Sequence, residues 1–103
     1  MDTSVDRVIL SSDFSDNSGD NPYHGTDVIV VLTNGLKYAA SFLPYAEVDH
    51  VRKHNLQSGE FLNGLYYWGQ NMVLVDNCRQ ETVEKVVEHM IEEGDFREAF
   101  RKL

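Results

Sequence analysis

The sequence predicts an α+β fold: an antiparallel sheet of four to five strands, two hairpins plus an N-terminal strand, with helices on one face and a helical C-terminus. Three stretches carry this expectation. Asp27 to Thr33 is an unbroken, largely β-branched run that meets Asn34-Gly35, the strongest short hairpin signal. Leu65 to Trp68 and Met72 to Val75 flank Gly69-Gln70-Asn71, which reads as a second hairpin closed by a three-residue loop. Val83, Val86, Val87, Met90 and Ile91 fall at i, i+3, i+4, i+7 and i+8, the cleanest helical stripe in the chain.

Taken in order, Arg7 to Ser12 begins with a short β-branched run and reads as the first strand. Residues 11–26 are mostly Ser, Asp, Asn, Gly and Pro with only Phe14 and Tyr23 able to pack, a long polar loop. After Asn34-Gly35, a type I′ turn by its residues, Leu36 to Leu43 returns with Leu36, Tyr38, Ala40 and Phe42 on one face. Pro44 ends that strand and can open a helix, since its missing N–H would be unpaired in the first turn anyway. Tyr45, Val48 and Val51, followed by Leu56, then mark about three helical turns, stopped by Ser58-Gly59.

The 65–76 stretch holds the only Trp and two of the five Tyr residues, and we expect the sheet to be organised around it. Alternation in a strand places Tyr66 and Trp68 on one face and Tyr67 on the other. One set would be core and the other an exposed anchor. Asn77 is then an N-cap candidate with Gln80 at capping-box spacing. Gly94 suits the C′ position of the long helix, and Asp95 can cap a last segment whose apolar face is Phe96, Ala99, Phe100 and Leu103.

The 103 residues fit one domain, 1–103, with a single continuous core. Seventeen acidic residues against nine basic ones leave a net charge of −8. Nucleic-acid affinity comes from Lys and Arg displacing counterions, so direct binding to DNA or RNA is disfavoured, as is an anionic membrane surface. A basic protein partner is favoured, because opposite charge speeds encounter. The lone Cys78 forms no internal disulfide, Met1 to Arg7 has no basic or apolar leader pattern, and no apolar run is long enough to span a membrane. The expected compartment is the cytoplasm.

No catalytic constellation is present, and we expect a non-enzymatic protein without cofactor or metal. His50 and His54 stand four apart on the first helix, but His24, His89, Glu47 and Asp49 supply no third ligand at a recognisable spacing. Cys78 precedes the long helix, where a helix N-terminus lowers a thiol pKa, yet nothing marks a base or an oxyanion site, so an inert, partly buried thiol is expected. The oxygen-rich 11–26 loop fails the EF-hand register, since placing Gly19 sixth puts Phe14 first. What remains is charge. Glu81, Glu84, Glu88 and Glu92 run down the long helix opposite its apolar stripe, with Lys85 placed to pair with Glu81, and Asp13, Asp16 and Asp20 add to them from the loop. With Tyr23 and Tyr67 as aromatic anchors, these are the expected partner-binding residues.

The run Val31-Leu32-Thr33-Asn34-Gly35 with Tyr38 and Ala40-Ser41-Phe42, then Ser58-Gly59-Glu60, then Tyr66-Tyr67-Trp68 and Asn71 to Val75 before a closing amphipathic helix, resembles a group of short uncharacterised bacterial α+β proteins. The resemblance covers about residues 27–103. Proteins of this type are similar to immunity proteins of contact-dependent growth inhibition and other polymorphic toxin systems, which block a toxin domain by binding it. That resemblance implies a cytosolic immunity protein neutralising a basic toxin domain such as a nuclease. The alternative is a homo-oligomeric structural or regulatory domain whose acidity serves only solubility; the immunity reading implies a monomer or weak homodimer, the alternative a stable dimer.

Overall fold

The computed structural model describes residues 4–11 and 23–103. Strands β1 (Val5–Leu10), β2 (Thr26–Leu32), β3 (Lys37–Pro44), β4 (Met72–Val75) and β5 (Arg101–Lys102) form one sheet, accompanied by α1 (Tyr45–Ser58), α2 (Glu60–Gly64), α3 (Gln80–Glu93) and α4 (Phe96–Ala99). The α+β class holds. β1, β2 and β3 are sequential antiparallel neighbours, with Val8 opposite Val30 and Val30 opposite Tyr38. The alternation expected of β3 follows: Tyr38, Ala40 and Phe42 join Val8, Leu10, Val28, Val30 and Leu32 in the core.

The first hairpin forms with a different turn. Gly35 has φ +88° and donates to the Leu32 carbonyl at 2.9 Å, while Leu32 N–H donates to Leu36 O at 2.9 Å. Among the described residues Asn34 does not take a positive φ, so the type I′ expectation gives way to a three-residue loop closed by a left-handed glycine. Asn34 contributes through its side chain instead, its Oδ1 accepting from Leu36 N–H at 3.0 Å.

The second hairpin does not form. Leu65 to Gly69 runs outside any strand, and β4 pairs parallel with β3, Ser41 opposite Met72 through Pro44 opposite Val75. The reason lies at Asn71. Its carbonyl accepts Ser41 N–H at 2.8 Å and its Nδ2 donates to Ala99 O at 3.0 Å, so it fastens β4 to β3 and to the C-terminal segment rather than turning the chain back onto Trp68. A parallel pair needs a long crossover, and α1 with α2 supplies it. β5 then takes the other half of the same β3 edge, antiparallel, with Ala39 opposite Arg101 and Tyr38 opposite Lys102.

The aromatic centre of the core therefore comes from β3 and the C-terminal segment. Phe96 and Phe100 stack at 4.6 Å between ring centroids, Tyr38 meets Phe96 at 5.1 Å and Phe42 meets Phe100 at 5.8 Å. Val83 and Val87 of α3 are fully buried against the same face, with Val86, Met90 and Ile91 at its margin, as the stripe predicts. Gly94 closes α3 in a Schellman arrangement, Gly94 N–H to Ile91 O and Asp95 N–H to Met90 O. Leu103 is exposed, because α4 stops at Ala99 and the chain extends into β5 instead of finishing a helical face.

α1 does not lie with α3 and α4 over the core. Its Val48 and Asn55 line a cleft with Leu43 and Leu74, which alternate away from the core residues Phe42 and Val75. The expected stripe on α1 is also displaced: Tyr45 and Leu56 are exposed, and the side chain this helix buries is Asn55.

Candidate functional site

From Gly59 the backbone does something L-residues avoid. Phe61, Leu62 and Asn63 have φ/ψ of 53/47°, 53/53° and 58/38°, and Gly64 has φ +79°, a left-handed turn. Each non-glycine residue in that conformation costs about 1–2 kcal/mol. Gly64 is required at its end, since a Cβ there would stand 2.9 Å from the carbonyl of Arg52. This close approach presses the turn against α1 and throws the following side chains outward.

The result is a lobe of large apolar groups in solvent. Leu62, Leu65 and Trp68 are 69%, 78% and 62% exposed, and Tyr66 and Tyr67 about half. Half-buried Phe61 supports them, edge-on to Tyr66 at 5.5 Å and to Tyr67 at 5.0 Å. The expected division of Tyr66, Tyr67 and Trp68 into a buried and an exposed set fails, because without a strand there is no alternation. Tyr67 also borders a shallow pocket of about 260 Å³ with Ser11, Gly25 and Thr26, which sets it beside the two described ends of the polar loop.

The remaining partner-binding candidates are spread apart. Glu81, Glu84, Glu88 and Glu92 are exposed on the outer side of α3, and no Lys or Arg among the described residues pairs with any of them; the Glu81–Lys85 pair is not made. Glu84 accepts a hydrogen bond from Gln80 Nε2 at 2.9 Å, and the same amide donates to Val8 O, tying α3 to β1. Since α3 covers the core face and the lobe adjoins Leu43, Met72 and Leu74 of the other, the sheet stands between Tyr67 and the glutamates. Tyr23 is half-exposed next to His24, whose Nδ1 lies 2.8 Å from Glu47 Oε2. Asp13, Asp16 and Asp20 lie outside the described residues.

The groups weighed for chemistry are also placed. His50 and His54 are exposed, His54 lying 3.4 Å from Glu60, and among the described residues no group of three or more His, Cys, Asp or Glu could hold a metal ion. Cys78 is buried, its Sγ 3.8 Å from Phe42 O, and burial together with the charge of Glu47 pushes its thiol up to about 11. The helix opens two residues later, at Gln80, with Arg79 as N-cap; Asn77 Oδ1 accepts from Arg79 N–H at 3.0 Å, so it caps the preceding turn rather than the helix. A thiol this poorly ionised at neutral pH is a weak nucleophile.

The sequence marks Tyr67 of this lobe as an anchor and leaves one set of Tyr66, Tyr67 and Trp68 to be exposed, but not the display of the whole lobe, because its apolar run looks the same whether buried or displayed. Glycines at 59, 64 and 69 spaced along it were the available signal. No family model matches the chain, and no curated protein or solved structure matches it significantly.

Proposed function

We propose that this chain is a non-enzymatic binding domain for a basic protein, most concretely a cytosolic immunity protein that neutralises a toxin domain such as a nuclease. The observation that carries the reading is the displayed lobe. Leu62, Leu65, Tyr66, Tyr67 and Trp68 hold large apolar and aromatic side chains in water within seven residues, after a backbone turn that is itself unfavourable. Aromatic groups of this kind act as interface anchors. The net charge of −8 sets the sign of the partner, and the exposed glutamates of α3 act on its approach through their field rather than through contact at the lobe.

The test is capture from lysate of the source cells on the immobilised chain at low salt, eluted with a salt gradient and identified by mass. A basic domain retained by the wild type, released late, and inhibited by the free chain in its own toxic activity supports the reading. A column that retains only further copies of this chain moves the account to a homo-oligomer built on the aromatic lobe.

A further inference from the structure

Beneath the lobe, α1 and residues 64–67 enclose a cleft of about 290 Å³ whose walls include Leu43, Val48, Tyr66, Met72 and Leu74. Its size is at the lower end of small-molecule pockets. Two polar groups interrupt the apolar lining. Asn55 is 2% exposed, and its buried Nδ2 has no hydrogen-bond partner, which is uncommon enough in a folded chain to call for an explanation. Arg52, one helical turn earlier on the same helix, lines the cleft as well, and no carboxylate among the described residues pairs with it.

We propose that this cleft binds a small apolar molecule bearing one carboxylate, its body against Leu43, Val48, Met72 and Leu74 and its carboxylate received by Arg52 and the Asn55 amide. The unpartnered Asn55 Nδ2 and the Arg52 guanidinium are both donors, so the ligand must present acceptors. A guanidinium selects a carboxylate over a hydroxyl, because it offers two parallel N–H donors and a full opposite charge. Arg52 and Asn55 stand three residues apart on α1 and both line the cleft, and Gly64, packed against Arg52 O, lines it beside them. This inference needs no protein partner and stands apart from the reading above.

The probes are 3-phenylpropionate and the neutral 3-phenylpropanol, titrated into the full ¹⁵N-labelled chain and followed at the Asn55 side-chain amide. Saturable shifts are expected for both, with the acid at least tenfold tighter. Arg52→Met, a change on an exposed side chain, should remove that preference and leave the alcohol's affinity unchanged; Asn55→Leu should weaken both probes while the dispersed spectrum of a folded chain persists. Absence of saturation at Asn55, equal affinities for the two probes, or an acid preference that survives Arg52→Met would each overturn the proposal and leave a cleft occupied by water.

Discussion

At the scale of single residues, two side chains report on the architecture without any partner. Trp68, the only tryptophan, stands 62% exposed in an irregular segment. Its native emission should resemble that of tryptophan in water, and acrylamide should quench it nearly as well as in urea. A blue-shifted, protected emission would instead restore a paired strand at 65–68. Cys78 is the opposite case. Its thiol titrates near 11 in the folded chain against an ordinary 9.0, because burial penalises the thiolate and Glu47 repels it. Below pH 9 both states hold the proton and this contribution is fully present. Between about 9 and 11 the unfolded chain has lost its proton while the folded one keeps it, so stability falls as pH rises through that window. Disulfide-exchange labelling at pH 8 should be at least tenfold slower in the native chain than in denaturant, and urea midpoints of wild type and Cys78→Ala should converge above pH 9.

The elements show how much of the fold local pattern could convey. β3 and α3 were legible because each has a period that only one structure satisfies, alternation in Leu36 to Phe42 and a 3.6-residue stripe from Val83 to Ile91, while β1 and β2 were legible from their short β-branched runs. The 65–76 stretch has no such arbiter. Its strand partner was decided by Asn71 bonding to Ser41 and Ala99, thirty and twenty-eight residues away, and by a crossover that period alone does not reveal. Asn55 was invisible for a related reason, since a polar residue becomes notable only once its surroundings are closed. The left-handed turn makes an opposed pair of predictions. Leu62→Gly, at φ 53° and 69% exposed, should leave stability unchanged or raise it by up to about 1 kcal/mol, whereas glycine in an exposed right-handed helix costs about 1 kcal/mol. Gly64→Ala should cost about 2 kcal/mol through its positive φ and the clash with Arg52 O. Urea denaturation of both variants checks the signs; two losses of similar size would mean that the turn is right-handed.

For the molecule as a whole, one sheet separates an acidic helical side from an aromatic lobe, and the two are assigned different work. Glu84→Lys with Glu88→Lys changes exposed positions and should shift stability by no more than about 0.5 kcal/mol. Against a basic partner it should slow association and flatten its salt dependence, with dissociation little changed, because the charges act at a distance. The lobe should behave in the reverse sense, setting dissociation. The site was only half legible from sequence: the glutamates of α3 follow from helical spacing, while the display of Leu62 to Trp68 depends on backbone conformations that no periodicity signals. The measurement that tests the central claim most directly is capture on parallel columns carrying the wild type and the Tyr67→Ala, Trp68→Ala double variant. The account predicts one basic protein retained by the wild type and absent from the variant, both chains being equally folded. Equal retention on the two columns, or none on either, would contradict it.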